Sequence, residues 1–393
     1  MLPGYRYPAS LDEPLTCGDL RYSFTLSRAL VRAGASVTVL SRGTRREPES
    51  TTFDGVKIQR YRPEFGRVFA TSFDISLRRA AAFRALVRQS DAVIANSPLS
   101  LELLGSTRVP MVYVCSGLED VRNYGWSLGE LAQWVGIQGL RDPCKRATWR
   151  RSVVVNTTAE REAPTLARLG VPAAKIRTIG PGVERGRYVP LPTAAVAAHR
   201  AALGIGAETR VILSVSRITP AKGLLETVEA FAALRAATRL PVLLLLVGVR
   251  HSHRGDYFGR VLRRIEALGL TAQVRWAMDV PERELPLYYS LADLTSVFSV
   301  GYDPLPTVLI ESQACGTPVI STRMETRRQL IDHGTNGLEV AEADVRGWTA
   351  AAQHLLENAG LAASLREHGL RFVAAHADAD VVAARYLELL ASQ

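Results

Sequence analysis

The sequence predicts two doubly wound α/β domains in series. Three observations carry that expectation. At 393 residues the chain is longer than one hydrophobic core usually serves. Short aliphatic runs alternate with helix-periodic stretches, the pattern of a parallel sheet covered by helices. That pattern breaks once, between residues 180 and 210, and then begins again.

The first series predicts strands at Ser36–Leu40, Val56–Tyr61, Ala92–Asn96, Met111–Cys115 and Val153–Asn156, with helices over Tyr22–Ala33 and Ser76–Arg88. A doubly wound domain also needs a strand ahead of the loop Pro3-Gly4-Tyr5-Arg6-Tyr7-Pro8. Only Met1 and Leu2 precede it, so the expectation is a truncated first strand and a chain start several residues upstream. The break is marked by Gly180-Pro181-Gly182, Pro190 and Pro192. It predicts a first domain over 1–188 and a second from 189 onward. The second series predicts strands at Val211–Val215, Val242–Val247, Val274–Trp276, Leu294–Phe298 and Val319–Ser321, and a helix over Leu224–Leu234. Two such domains are expected to face each other across a cleft, because open α/β sheets bind ligands at their strand C-termini.

Composition narrows the class. Apolar residues make up 47% of the chain, as in globular proteins. The longest apolar run, Val242–Val247, is far too short to span a membrane, and the start lacks a signal peptide's basic and apolar regions. The formal net charge is +10, yet only four of the 48 basic residues are lysines: Lys57, Lys145, Lys175 and Lys222. Most of this charge reads as solvated surface; the functional reading is attraction for phosphate-bearing ligands. No basic run is interleaved with aromatics and no zinc spacing occurs, so nucleic acid is not an expected partner. Cys17, Cys115, Cys144 and Cys315 form no CxxC pair, which favours a reducing cytoplasm and buried spectator thiols. No GxGxxG follows a strand and no GxxxxGK occurs, which argues against a dinucleotide oxidoreductase and a P-loop enzyme.

Two segments carry chemistry. Ser214-Val215-Ser216-Arg217-Ile218-Thr219-Pro220-Ala221-Lys222-Gly223 joins a strand to a helix. There Arg217 and Lys222 can converge on one diphosphate, the arginine as a planar fork and the lysine as a point charge, near a helix N-terminus. Read alone, the pair is equally a solvated loop. The second segment runs from Gly301 to Val319. Asp303 sits in its loop, Thr307 and Val308 mark a helix start with free N–H groups, and Glu311 lies on that helix. Two carboxylates flanking a helix start can grip hydroxyls at both ends of a nucleotide sugar; alone they equally suit helix capping.

Together these segments resemble the retaining family 4 glycosyltransferases. Arg217, Lys222-Gly223, Asp303, Glu311 and Ala314-Cys315-Gly316-Thr317-Pro318-Val319 fall on the family's motif positions, and Asp332-His333-Gly334-Thr335-Asn336-Gly337-Leu338 resembles its turn before the last strand. Upstream, Cys17-Gly18-Asp19-Leu20-Arg21-Tyr22 resembles the family's first loop and helix, with one glycine of the usual pair. Pro181-Gly182-Val183-Glu184 resembles its hinge segment. Phe372 through Tyr386 resembles the closing helix, which implies that 374–393 returns to the first domain and that the second spans 189–373.

The resemblance implies the GT-B fold, an N-terminal acceptor-binding domain and a C-terminal nucleotide-sugar-binding domain. It implies that Arg217 and Lys222 neutralise the departing diphosphate, that Glu311 holds ribose hydroxyls, that Asp303 touches donor-sugar hydroxyls and that Gly18 lines the phosphate site. It implies transfer with retention along a front-face, oxocarbenium-like path, the donor phosphate taking the acceptor's proton. A nucleotide-diphosphate sugar, uridine being the family's commonest base, is then a co-substrate; no metal and no cofactor is required. Monomer and homodimer are both expected states. The chain departs from the pattern at three places. Asp303 stands where glutamate is usual, Pro304-Leu305-Pro306 replaces a glycine–aromatic–glycine, and Ser116-Gly117 replaces histidine-glycine. These departures also suit a silent nucleotide-sugar-binding protein.

Two N-domain loops are acidic: Asp12, Glu13 and Asp19 in the first, Glu119 and Asp120, beside Ser116, in the second. Besides ordinary solvation, this suits an amine-bearing acceptor such as an aminocyclitol or amino sugar, as in family members that build aminoglycoside antibiotics. The helix Ser76–Arg88 is basic and amphipathic; packing on the sheet is its favoured reading, and docking to a membrane for lipid- or polysaccharide-directed transfer is the other.

Overall fold

A computed structural model describes residues 7–15, 18–43, 47–61, 84–96, 109–115, 149–150, 152, 154–157, 162–250, 256–301, 303, 306–324 and 327–392. The chain divides into two compact units. Met1–Ser10, Cys17–Gly182 and Ala379–Gln393 form the first, and Leu11–Thr16 with Val183–Asp378 form the second. The division falls ahead of the expected residue 188, and the return falls after the expected 373. The reason is local. Val183 N–H donates to Ala377 O at 2.8 Å and Val183 bridges to Asp378, which ties both strands of the crossing to the second unit. The truncated first strand expected at Met1 and Leu2 lies outside the described residues.

In the first unit, helix α1 (Gly18–Arg32) buries Leu20, Tyr22, Phe24, Leu26, Ala29 and Leu30. Strands β1 (Thr38–Arg42), β2 (Ser50–Phe53) and β3 (Val56–Tyr61) form a sheet of order β1-β3-β2. The sequence reading had no β2. It runs antiparallel to β3 through Asp54-Gly55, both at positive φ, the conformation a two-residue hairpin needs. Strands β4 (Val93–Ala95), β5 (Met111–Cys115), β6 (Val154–Thr157) and β7 (Ile176–Thr178) form a parallel sheet in that order. Helix α2 (Glu162–Arg168) precedes β7. The expected helix Ser76–Arg88 lies mostly outside the described residues.

The second unit contains α3 (Thr193–Ala202), β8 (Arg210–Ile218), α4 (Leu224–Ala237), β9 (Val242–Arg250), α5 (Tyr257–Ala267), β10 (Val274–Met278), α6 (Leu285–Leu291) and β11 (Leu294–Val297). It continues with α7 (Val308–Ala314), β12 (Val319–Thr322), β13 (Leu338–Val340), α8 (Val345–Glu357) and α9 (Ala359–Phe372). The last helix, α10 (Ala379–Ala391), belongs to the first unit.

The second unit's six-stranded sheet has the order β10-β9-β8-β11-β12-β13, and every pairing is parallel. Both faces are covered, as the period of two dictates. Val211, Leu213, Leu243, Leu245 and Val247 enter one core with Tyr288, Tyr289, Leu309 and Ile310. Ile212, Leu244 and Leu246 enter the other with Phe231, Val261 and Trp348. The chain starts in the middle at β8, builds outward to β10, then resumes on β8's other side at β11. That reversal is a topological switch point, where the loops leaving the two central strands diverge and open a crevice.

Candidate functional site

The loops leaving β8 and β11 are the ones that hold the predicted residues. Arg217 stands one residue before the end of β8, half-buried. A 3-10 turn over Pro220–Lys222 then leads to Gly223 at φ 62, which opens α4. A side chain cannot replace that glycine, because a Cβ there would overlap the carbonyl oxygen of Phe298, just past β11. Val300 N–H donates to Ala221 O at 3.1 Å and joins the two loops again.

Their close approach sets the key contact. Lys222 Nζ donates to Asp303 Oδ1 at 2.7 Å, with side chains 16% and 11% exposed. Asp303 Oδ2 accepts from Ser299 Oγ at 2.6 Å and from Arg327 Nη2 at 3.0 Å. The sequence reading gave Lys222 and Asp303 separate ligand contacts. The structure pairs the two with each other, and both carboxylate oxygens have protein donors.

Arg327 is the residue that sequence reasoning missed. It is fully buried. Its Nε and Nη2 donate to the Asp303 carbonyl at 3.2 and 3.1 Å. Its Nη1 donates to Ser321 Oγ at 2.8 Å, Thr322 O at 3.2 Å and Val297 O at 3.3 Å. One guanidinium thus stitches the ends of β11 and β12 to the Asp303 loop. Thr322 Oγ1 adds a bond to Ser299 O at 2.8 Å.

The charges compete. Burial would push the Asp303 carboxyl up, but Lys222 and Arg327 overcome it and hold the group well below the usual carboxylate range. Burial pulls the Lys222 ammonium down; Asp303 opposes that, and the nearby positive charges of Arg217 and Arg327 add to it. Burial likewise lowers Arg327, against Asp303 and Glu339. Arg217 and Lys222 are therefore electrostatic neighbours. Among the described residues Arg217 forms no ion pair.

Glu311 lies in the first turn of α7 and is 2% exposed. Its Oε2 accepts from Tyr289 OH at 2.7 Å, and Tyr289, on α6, is fully buried. Thr317 Oγ1 donates to Tyr289 O at 2.7 Å and fixes that partner. Thr307 occupies the N-cap position of α7 without a side-chain capping bond, and Val308 is the helix's first residue. Burial, then Glu311, pushes the Cys315 thiol up, consistent with an inert thiol.

Gly18 begins α1 and Asp19 occupies its first turn, both in the first unit. Asp12 is ion-paired with Arg283, and Glu13 lies beside it in the Leu11–Thr16 segment that groups with the second unit. Ser116, Glu119, Asp120, Pro304 and Leu305 lie outside the described residues. Among the described residues no His, Cys, Asp or Glu cluster is arranged to hold a metal ion, and no helix is long and apolar enough to cross a membrane.

The site is thus a set of cations and carboxylates at the switch point of a doubly wound unit. The family described as "Glycosyl transferases group 1" matches residues 196–372, and "Glycosyl transferase 4-like domain" matches 20–182. A D-inositol 3-phosphate glycosyltransferase of Kineococcus radiotolerans is 30% identical over 367 residues, 86% of this chain and 82% of its own length. One from Thermobispora bispora is 32% identical over 277 residues, 67% of this chain and 62% of its own. Among solved structures, sucrose-phosphate synthase of Thermosynechococcus elongatus superposes with a TM-score of 0.79 at 22% identity, covering 100% of this chain and 99% of that one. Anabaena HepE in complex with UDP-glucose gives 0.75 at 16% identity, covering 100% and 98%. The chain belongs to the family 4 glycosyltransferases and has their GT-B fold.

Proposed function

We propose that this glycosyltransferase moves a hexose or amino-hexose, with retention, from a nucleoside diphosphate sugar to a hydroxyl of a small-molecule acceptor. The observation that carries the proposal is the meeting of Lys222 and Asp303, beside Arg217, where β8 and β11 diverge. Breaking the anomeric C–O bond leaves negative charge on the diphosphate, and preorganised cations stabilise that charge most. In this reading the second unit binds the donor. Arg217 forks onto the diphosphate, Lys222 adds a point charge, and the Thr307 and Val308 N–H groups donate beside them. Gly18 borders the phosphates, Glu311 takes the ribose hydroxyls and Asp303 the sugar. The acceptor oxygen forms the new bond on the face the diphosphate leaves, and its proton passes to a departing phosphate oxygen. These cations supply charge that a divalent metal supplies in other transferases. Uridine is the first base to test, since HepE was solved with UDP-glucose. The setting is the cytoplasm.

The acceptor reading is an aminocyclitol or amino sugar, as in antibiotic assembly, held by acidic residues expected on acceptor loops: Asp12, Glu13, Asp19, Glu119 and Asp120. A second reading has its own observation: relatives are named for an inositol phosphate, and Asp12 is ion-paired with Arg283. That favours a phosphate-bearing cyclitol. Turnover of matched neutral, amine-bearing and phosphate-bearing cyclitols decides between them; equal rates would remove both.

The leaving-group assignment has its own test. Arg217→Ala and Lys222→Ala are each expected to slow nucleoside diphosphate release by about a hundredfold or more, with thermal unfolding of the Arg217 variant unchanged. Wild-type rates in both variants refute it.

A further inference from the structure

The pairing of Lys222 with Asp303 poses an electrostatic problem. A buried ammonium matched by a buried carboxylate has no charge left for a diphosphate. Arg327 changes that sum. It is fully buried, reaches the same carboxylate at 3.0 Å, and spends its other donors on Ser321 and three carbonyl oxygens. Lys222, Asp303 and Arg327 together retain a single positive charge. Glu339 also senses Arg327 but makes no ion pair with it among the described residues, and has Arg323 at 3.9 Å as its counter-ion.

We propose that Arg327 is a positioning residue of the donor site, holding Asp303 at Lys222 and restoring the positive charge that the Asp303 carboxylate would otherwise cancel. The inference rests on the donor-site reading above. It also explains how a one-methylene-shorter carboxylate is accommodated. Ser299 and Arg327 fix Oδ2 from behind, so Oδ1 is presented to Lys222 in one orientation. The donor's phosphates then meet Arg217 and a triad with surplus positive charge, not a neutral pair.

Charge arithmetic separates this role from a merely structural one. Nucleoside diphosphate affinity is measured by titration calorimetry with UDP, GDP and ADP at low salt. Arg327→Gln makes the triad neutral and is expected to weaken the bound diphosphate about tenfold. Asp303→Asn leaves two positive charges and is expected to tighten it by a similar factor. The double variant returns to a single positive charge, so its affinity is expected within about threefold of wild type, with wild-type salt dependence. Arg327→Lys keeps the charge and is expected to retain affinity within the same range.

A double variant weaker than either single one overturns the proposal, because lost packing accumulates where charge cancels. If Arg327→Gln does not fold, Asp303→Asn decides alone: unchanged or weaker binding overturns it. Failure of the donor-site reading looks different, since the wild-type protein would then bind none of the three diphosphates.

Discussion

A carboxylate gripped by an ammonium and a guanidinium titrates far from its ordinary range, and that has a consequence for stability. The folded pKa of Asp303 lies below its unfolded one. Its stabilising contribution is therefore complete above about pH 4 and is lost as pH falls toward the folded value. Between pH 6 and 3, wild-type protein is expected to lose on the order of 1 kcal/mol more stability than Asp303→Asn, read from urea unfolding across pH. Parallel curves would mean that the carboxylate is not so held. Tyr289 gives a second prediction. Tyr289→Phe removes a buried donor from Glu311 and is expected to cost about 1–3 kcal/mol, and, if Glu311 holds ribose, to raise the Kd for UDP. Unchanged melting and affinity would deny the bond any role. Arg217, Lys222, Asp303 and Glu311 were legible because their spacing within two short segments is distinctive. Arg327 and Tyr289 were not, because each meets its carboxylate from more than twenty residues away. In a chain so rich in arginine, residue type alone marks nothing.

Elements are read from periodicity, and here their limits follow from what periodicity measures. Alternation within β8 and β9 sends neighbouring side chains to opposite cores, so these strands were visible as continuous apolar runs. The two-residue hairpin at Asp54-Gly55 was overlooked because β2 is short and half-exposed, with little apolar alternation. Its signal was the Asp-Gly dipeptide itself. The predicted strand Leu294–Phe298 ends at Val297, which frees Phe298 to lie against Gly223 and starts the loop toward Asp303. That contact can be tested. Gly223→Ala must adopt a left-handed conformation and push the Phe298 carbonyl away. Destabilisation of more than about 2 kcal/mol is expected, together with weaker nucleotide binding, as the Lys222 and Asp303 loops separate. A variant as stable as wild type would show that the two loops tolerate displacement.

At the scale of the molecule, the chain leaves the second unit at Asp378 and completes the first with α10. That return is specific. Tyr386 OH and Tyr22 OH are 2.6 Å apart and buried, tying α10 to α1. Arg32 holds Asp380 at 2.6 Å on the surface, where the pair adds little. Ala379, Val382 and Ala383 are buried, and a Cβ on Gly182 would lie 2.8 Å from the Ala379 Cα. Each large apolar or aromatic side chain buried there is worth about 1.5–3 kcal/mol, against a typical domain stability of about 5–15 kcal/mol. Deleting residues 379–393 is therefore expected to abolish cooperative unfolding of the first unit. The second keeps its six-stranded sheet, both covering layers and the Val183–Ala377 bond, and is expected to retain its own transition. Calorimetry with amide hydrogen exchange reads the two separately. Loss of protection in α1, β1 and β3 with β8, β9 and β11 still protected is the expected pattern. Protection retained throughout would mean that α10 is dispensable, and loss throughout would mean that the second unit does not stand on its own core.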